Sequence, residues 1–227
     1  MRPFLRPPLV PRLRVEPDGH PQVVVVGAAP RPMQVEWRAG AAAALADWID
    51  ASDCVVRMND LKSAQARWIG RRNDVHVITN VGLPAERHAR KRIGGGGVEV
   101  PREVLFSVPA AEKAARLAVK GTRQTDDDVE RRILDRQGWG EATAATMPEA
   151  MTRTMYEALG KHALGEVTAS AGIRGIWWAC HAERFRGWGV HALGFGWQGW
   201  TGHPFDAESR LAAALEAEGR LQGVTLR

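Results

Sequence analysis

The chain is poor in cysteine and has no long apolar run, and both features narrow what it can be. Its 227 residues contain two cysteines, Cys54 and Cys180, without the paired spacing of a disulfide framework or a structural zinc site. No stretch approaches the roughly 20 apolar residues that span a bilayer, and the amino terminus lacks the apolar core of a signal peptide. We therefore expect buried thiols, no integral membrane segment and a cytoplasmic location.

The chain also carries only a small excess of positive charge. The formal net charge is +5, and residues 1–20 contribute four arginines against Glu16 and Asp18. Acidic residues are scattered through the remainder, so nucleic acid is not an expected partner and a small anionic ligand is favoured. The prolines of residues 1–20 predict a disordered lead-in, and the 44% hydrophobic content of the chain predicts one domain over residues 21–227.

Short apolar runs alternate with helical patterns along that domain. Strands are predicted at Val23–Val26, Asp53–Met58, Asp74–Thr79, Val104–Val108 and Gly189–Leu193. Helices are predicted at Trp37–Trp48, Pro84–Arg92, Ser170–Arg184 and Pro204–Glu218, with further helix starts at Pro109, Asp126 and Pro148. Strands separated by helices predict an α/β fold with a single doubly wound, mostly parallel sheet and helices on both faces.

Ligands of such sheets bind beyond the carboxyl ends of the strands, and two candidate places directly follow strands. The small-residue turn Gly27–Ala29 suits a phosphate or a nucleoside, or is simply a tight turn. Arg57 and Asn59 are two residues apart, so we expect them on one face, where they suit a phosphate or a pyrimidine edge. A structural Arg57 that pairs with Asp50 or Asp53 is the alternative.

Two further candidate places open helices. Ser170 and Gly172 begin a helix whose free amides can bind an anion, although an ordinary serine N-cap explains the same residues. His203 stands at the mouth of the last helix, where an imidazole can exchange a proton near neutral pH, and Glu208 follows five residues later. A lone histidine is usually structural. This one, however, follows a glycine turn at a strand end, formed by Gly194 and Gly196, and two tryptophans, Trp197 and Trp200.

Together, these places resemble the sialylmotifs of the animal-type sialyltransferases. The strand and turn at Val23–Ala29, Ile49-Asp50 and Arg57-Met58-Asn59 are similar to the long motif. Ser170-Ala171-Gly172 and Gly194-Phe195-Gly196 are similar to the small motif, and His203 to Glu208 resembles the very small motif, His-x-x-x-x-Glu. The resemblance runs from about Val23 to Leu211 and is thin between Ala110 and Lys161.

The resemblance implies a Rossmann-like fold of the sialyltransferase type and an inverting, metal-independent transfer of an acidic, sialic acid-like sugar. The donor would be activated by cytidine monophosphate (CMP), the acceptor would be a glycan or a lipid-linked sugar, and no cofactor is implied. His203 would be the general base and Glu208 its support. Nucleotide contacts would come from Gly27, Ala28, Arg57, Asn59, Ser170, Gly172, Gly194, Gly196 and Trp200.

Departures from the family pattern keep a second hypothesis open. Ala28, Ala29 and Ala171 stand where the family has polar residues, which favours a noncatalytic accessory protein that retains the fold. The chain also resembles short bacterial proteins named urease operon accessory proteins, with which it shares the pattern Gly-Phe-Gly, Gly-Trp and Gly-His-Pro-Phe before Glu208. Asp126–Asp128 is similar to the Asp-x-Asp metal motif of other transferases, but it is predicted as the acidic first turn of a helix.

Overall fold

The computed structural model describes residues 20–27, 39–60, 69–93, 97–120, 128–160, 167–197 and 199–224. Most of the predicted lead-in lies outside these residues, as do Ala28, Ala29, Asp126 and Asp127. The strands are β1 (Gln22–Val26), β2 (Cys54–Met58), β3 (Val75–Ile78), β4 (Glu103–Phe106), β5 (Thr143–Thr146), β6 (Gly189–Leu193) and β7 (Gln222–Val224). The α-helices are α1 (Ala39–Ala51), α2 (Gly82–Arg90), α3 (Ala110–Lys120), α4 (Val129–Gln137), α5 (Glu149–Ala158), α6 (Ala171–His181) and α7 (Phe205–Ala217).

The described strands form one parallel sheet in the order β5-β4-β3-β2-β1-β6-β7. Strand β1 lies inside the sheet between β2 and β6, and its four valines are buried on both faces, as continuous β-branched runs are in parallel sheets. From β1 the chain builds outward to β5 on one side, then crosses to β6 on the other. The strand order therefore reverses between β1 and β6, and the carboxyl ends of these two strands bound a crevice that we call the switch crevice.

Helices pack against both faces of the sheet, which confirms the predicted fold class. Val23 and Val25 of β1 share a core with α5, α6 and α7. Val24 and Val26 face the opposite way and pack against α1, while α2 and α4 cover the outer strands on that same side. Because successive residues of a strand alternate between faces, the four valines hold both layers together. No helix in the described ranges is long and apolar enough to span a membrane.

Two edge strands were not predicted from the sequence. Thr143–Thr146 is exposed at all four positions, so it shows no apolar alternation, and it becomes β5 by pairing with β4. Gln222–Val224 is three residues long and becomes β7 by pairing with β6. Both strands are defined by backbone pairing with a neighbour and not by their own side chains.

The two cysteines are free thiols, as predicted. Cys54 is buried within β2 and Cys180 is partly buried near the end of α6, with its Sγ 3.4 Å from the carbonyl oxygen of Arg220. Burial raises the pKa of each thiol to about 12, so both are protonated and weakly nucleophilic at neutral pH.

The contact between the ends of β1 and β6 yields a stability prediction. A Cβ atom on Gly27 would lie 2.4 Å from the carbonyl oxygen of Gly194, so Gly27→Ala must force two strand ends apart. We expect this substitution to lower the free energy of unfolding by about 2 kcal/mol in urea denaturation, the usual size of an overpacking penalty. Gly140→Ala is the matched control, since a Cβ there meets nothing within 4 Å. Equal stability of the two variants would contradict the close packing.

Candidate active site

The candidate site lies at the switch crevice, where backbone from β1 and β6 comes into contact. The amide of Gly27 donates to the carbonyl oxygen of Leu193 at 2.7 Å, and Gly194 follows directly with φ of 71°. A side chain at Gly27 would collide with Gly194, as described above. The two glycines therefore bring the strand ends close together, and Gly194 also turns the chain away from the sheet.

Phe195 covers the glycines that line this crevice. An ideal Cβ on Gly27 would lie 3.1 Å from Cδ1 of Phe195, and one on Gly172 would lie 3.1 Å from its Cε1. The ring also stacks on Trp197 with centroids 5.7 Å apart, and Trp197 itself has an unusual positive φ of 46°. Gly27 and Gly172 are thus small in part because the Phe195 ring lies against them.

The N-terminus of α6 is held by Glu208 from α7. Ser170 caps the helix, since its Oγ accepts from the amide of Ile173 at 3.3 Å. The amide of Ser170 donates to Oε1 of Glu208 at 2.7 Å, and its hydroxyl donates to Oε2 at 2.6 Å. Both carboxylate oxygens of the fully buried Glu208 are therefore engaged by one residue.

These hydrogen bonds change the role expected for both residues. Glu208 was predicted to support His203, either by orienting the ring or by stabilising its charge. Its oxygens bind Ser170, so its influence on the imidazole is electrostatic. Burial raises the pKa of Glu208 above its usual value, although the hydrogen bonds from Ser170 and the charges of His203 and Arg174 act in the opposite direction. With Ser170 engaged, the amides of Ala171 and Gly172 are the α6 donors that have no partner among the described residues.

His203 is oriented by a backbone carbonyl. Its Nδ1 lies 2.6 Å from the carbonyl oxygen of Thr168, which can only accept a hydrogen bond, so Nδ1 carries the proton. In the neutral ring, Nε2 then has a free lone pair. Trp200 and Phe205 contact the ring edge-on, with centroids 5.0 and 5.3 Å away. The ring is therefore fixed in the tautomer that a general base needs at Nε2.

The carbonyl of Thr168 belongs to a segment that a buried network supports. Arg174 of α6 donates from Nε to Ala169 at 3.2 Å and from Nη1 to the carbonyl of Ser107 at 2.9 Å. Its Nη2 donates to Glu112 at 2.6 Å, and Oη of Tyr156 lies 2.7 Å from the same carboxylate oxygen. Tyr156 also reaches the backbone of this segment, lying 3.1 Å from the carbonyl oxygen of Val167.

The charges of this network favour its ionised form. Burial opposes ionisation of Glu112, but the charges of Arg174 and Arg116 and the hydrogen bonds from Arg174 and Tyr156 outweigh it, so the pKa of Glu112 lies below its usual value. Glu112 and Arg174 are both almost completely buried. Loss of either charge would leave the other without compensation in a region shielded from water.

Asn59 directly follows β2 and is left-handed, with φ of 46°. Its Oδ1 accepts from the amide of Thr79 at 3.0 Å, and its carbonyl oxygen lies 3.0 Å from Nε2 of His76. Burial lowers the pKa of His76 to about 3, so this histidine is neutral and donates from Nε2. The Nδ2 donor of Asn59 has no partner among the described residues and is the part of the side chain that can contact a ligand.

Arg57 is held by the backbone of a neighbouring segment. It is fully buried, and its Nε and Nη2 donate to the carbonyl oxygens of Arg72 and Ile69, each at 2.7 Å. The strand ends at Met58 and Asn59 beyond it is left-handed, so the two residues do not belong to one regular alternating strand, as the prediction assumed. These contacts fit the alternative of a structural arginine, with backbone carbonyls in place of the expected carboxylates as its partners.

An open pocket of about 570 Å³ adjoins His203. Its lining comes from the residues directly after α5, from the residues directly before α7 and from the first two turns of α7. It includes Leu159, Gly160, His203, Phe205, Asp206 and Arg210. Trp200 is 58% exposed and its ring contacts His203 edge-on, so it lies at the surface beside this histidine. Gly196 is exposed in the same loop.

Two further histidines of the described ranges, His181 and His191, have structural surroundings. His181 stacks on Trp177 with centroids 3.7 Å apart, and His191 contacts Trp48 edge-on. His162 and two of the three residues of Asp126–Asp128 lie outside the described residues. Within the described ranges, no group of three or more histidine, cysteine or carboxylate side chains is arranged to hold a metal ion.

Sequence reasoning missed the residues that support the site. Arg174 carried a signal, because a charge in the middle of the apolar helix Ala171–His181 must find a buried partner. Thr168 carried no signal, because it acts through its backbone carbonyl, which any residue type supplies. Glu112 and Tyr156 lie 62 and 18 residues from Arg174, and only the fold brings them together.

The network yields a pH-dependent stability prediction for Glu112→Gln. The folded-state pKa of Glu112 is lowered, so its charge stabilises the fold above the unfolded-state pKa of about 4.5, and this contribution is lost as pH falls through the lower folded-state value. We expect Glu112→Gln to cost about 3 kcal/mol at pH 7, with a penalty that shrinks below pH 4.5. Urea unfolding at several pH values measures it, and a penalty independent of pH would contradict the account.

Comparison with solved structures identifies the fold. Two structures of a mammalian sialyltransferase, one in complex with Gal-beta-1-3GalNAc-ortho-nitrophenol, match with TM-scores of 0.55 and 0.53. Sequence identity is 13% and 14%, and each match covers 92% of this chain and 70% of the solved chain. The chain therefore has a sialyltransferase-like fold, as the sequence motifs predicted.

Comparison with curated proteins identifies the family. No family model matches the chain. The urease operon 23 kDa accessory protein of Rhizobium meliloti (strain 1021) is 33% identical over 187 residues, which are 77% of this chain and 83% of that protein. The chain belongs to the family of this urease operon accessory protein.

Proposed function

We propose that the protein is a glycosyltransferase that takes an acidic sugar from a CMP-activated donor and uses His203 as its general base. The observation that carries the proposal is the hydrogen bond from Nδ1 of His203 to Thr168, which leaves Nε2 as a free base at the mouth of α7. The sialyltransferase-like fold supports the same reaction class. Membership of the accessory-protein family leaves the reaction open.

The donor phosphate has a suitable binding surface at the switch crevice. The amides of Ala171 and Gly172 open α6, where free N–H groups and the helix dipole together favour an anion. The Nδ2 group of Asn59 supplies a further donor at the end of β2. Gly194 and Gly196 allow backbone to come close to the nucleotide, so these residues stay predicted donor contacts, whereas Arg57 does not.

In the proposed reaction, the hydroxyl oxygen of the acceptor forms a bond to the anomeric carbon of the donor sugar. Nε2 of His203 accepts the hydroxyl proton as that bond forms. The bond between the anomeric carbon and the phosphate oxygen breaks, and CMP leaves with the electron pair. Donors at the α6 N-terminus stabilise the negative charge on the leaving phosphate, and attack from the opposite face inverts the anomeric centre.

Glu208 contributes indirectly. By accepting two hydrogen bonds from Ser170, it fixes the N-terminus of α6 against the first turns of α7. Its negative charge also stabilises the imidazolium that forms when His203 accepts a proton. We assign Glu208 the role of a positioning residue, because its own oxygens are engaged by protein groups.

A noncatalytic binding or accessory role is the second candidate function. One observation favours it: the ring of Phe195 lies over both Gly27 and Gly172, the glycines expected to admit the nucleotide. Ala171 is also a departure from the polar residue of the sialyltransferase motif. On this hypothesis, the crevice is closed and the fold serves another partner.

Calorimetric titration with CMP separates the two candidates. A retained donor site binds CMP, and a crevice closed by Phe195 does not. An assay of CMP release from a panel of activated acidic sugars then tests turnover. Binding together with acceptor-dependent release supports a transferase, and absence of both supports the accessory role.

A substitution tests the assigned base. His203→Ala should reduce acceptor-dependent CMP release by about 10²–10⁴-fold, the usual contribution of a positioned base. CMP affinity should stay nearly unchanged, because the proposed phosphate donors lie on α6. His20→Ala is the control, since His20 is exposed and lies just before the amino end of β1, whereas the site lies beyond the carboxyl ends of the strands. Transfer that survives in the His203 variant would remove this residue from the mechanism.

Chelation tests whether the transfer is metal-independent. We expect EDTA to leave the rate of CMP release unchanged, because the proposed stabilisation of the leaving phosphate comes from backbone amides. The measurement compares initial rates before and after chelation and after addition of Mg²⁺ or Mn²⁺. A strong loss that a divalent cation restores would direct attention to Asp126–Asp128.

A further inference from the structure

The open pocket beside His203 has a charge arrangement that the proposed donor site does not use. Its lining residues come from the end of α5 and from α7, whereas the proposed donor contacts come from α6 and from the ends of β1, β2 and β6. His203 lines this pocket, so a molecule seated there is next to the proposed base. The volume of about 570 Å³ is within the usual range of small-molecule sites.

Arg210 is the cation of this pocket. It lies in the second turn of α7, is exposed, and forms no ion pair with another described residue. Arg136 of α4 and Arg153 of α5 are also exposed and form no ion pair with a described residue, but of these three arginines only Arg210 lines the pocket. A guanidinium that faces a pocket without a protein partner suits a carboxylate or a phosphate, which it can bind through two parallel hydrogen bonds.

The remaining lining complements a hydroxylated ring. Asp206, one turn before Arg210, is an exposed carboxylate that can accept hydrogen bonds from hydroxyl groups. Leu159 and Phe205 supply apolar surface, and Gly160 leaves open space at the end of α5. Hydroxyl groups, an apolar ring face and one anionic group are the features that this set of side chains can bind together.

We propose that this pocket is the acceptor subsite and takes a hydroxylated compound that carries a carboxylate or a phosphate, with Arg210 binding the anionic group. The identification of the ligand as an acceptor rests on the proposed function. The chemistry of the ligand rests on the pocket itself. Arg210 then decides which hydroxyl compounds reach His203, and neutral sugars are weaker substrates than anionic ones.

Direct binding of three probes tests the proposal without turnover. D-glucuronate, glucose 6-phosphate and glucose are titrated by ligand-observed NMR at constant ionic strength. We expect at least one of the two anions to bind about tenfold more tightly than glucose, as a charge-assisted hydrogen-bonded pair does. If both anions bind more tightly than glucose, the pocket is a general anion site. If only one of them does, the pocket is specific for a carboxylate or for a phosphate.

Variants assign the effect to Arg210. Arg210→Gln should remove the preference for the anion, and Arg210→Lys should keep part of it, because an ammonium group retains the charge without the planar pair of donors. Arg136→Gln is the charge-matched control: it is exposed on α4, across the sheet, and should change nothing. Any of three results would overturn the proposal: glucose binds as tightly as both anions, no probe binds, or the preference for the anion is unchanged in Arg210→Gln.

The CMP titration and the probe titrations together show whether the acceptor inference or the transferase proposal has failed. If CMP does not bind but an anionic probe binds through Arg210, the transferase proposal fails and the ligand chemistry of the pocket stands. If CMP binds and drives transfer but Arg210→Gln leaves anion preference unchanged, the transferase proposal stands and the acceptor inference fails.

Discussion

The hydrogen bonds that hold the Val167–Ser170 segment are the interaction on which the whole site depends. Arg174 and Tyr156 bind its backbone, and Glu208 binds its last residue. The same segment supplies the carbonyl that orients His203. A buried ion pair is costly to desolvate, and apolar residues often replace one without loss of stability. Here the pair supplies directional donors to an irregular backbone segment, which apolar side chains cannot do.

Much of the fold could be predicted because its central elements carry local signals. The valines of β1 form a continuous β-branched run that ends at Gly27, and the proline before α7 marks a helix start. The edge strands were missed because their formation depends on a neighbour. Thr143–Thr146 has the composition of an exposed loop, and only the free edge of β4 makes it a strand. The local sequence pattern was therefore enough to predict the central strands and the helices that cover them. The number of strands in the sheet depends on pairing between distant segments.

The candidate site was predicted in its positions but not in its contacts. Ser170 and His203 were expected at helix mouths, where the sequence carries capping signals, and both lie there. Their partners are set by the fold: Glu208 is 38 residues from Ser170, and the partner of His203 is a backbone atom. The partners of Arg57 are also set by the fold, because its guanidinium donates to the backbone carbonyls of Arg72 and Ile69. The types of the side chains were therefore enough to predict which residues belong to the candidate site. Their hydrogen-bond partners could be found only from the structure.

The orientation of the His203 ring is the feature on which the proposed chemistry depends most, and histidine-selective ¹⁵N NMR measures it directly. A spectrum of the ¹⁵N-labelled protein at neutral pH, assigned by its difference from a His203→Gln variant, reports which ring nitrogen carries the proton. We predict a proton on Nδ1 and a bare Nε2, held in this form by the carbonyl of Thr168. A proton on Nε2, or rapid exchange between the two tautomers, would contradict the claim that the Val167–Ser170 segment prepares this histidine as a base.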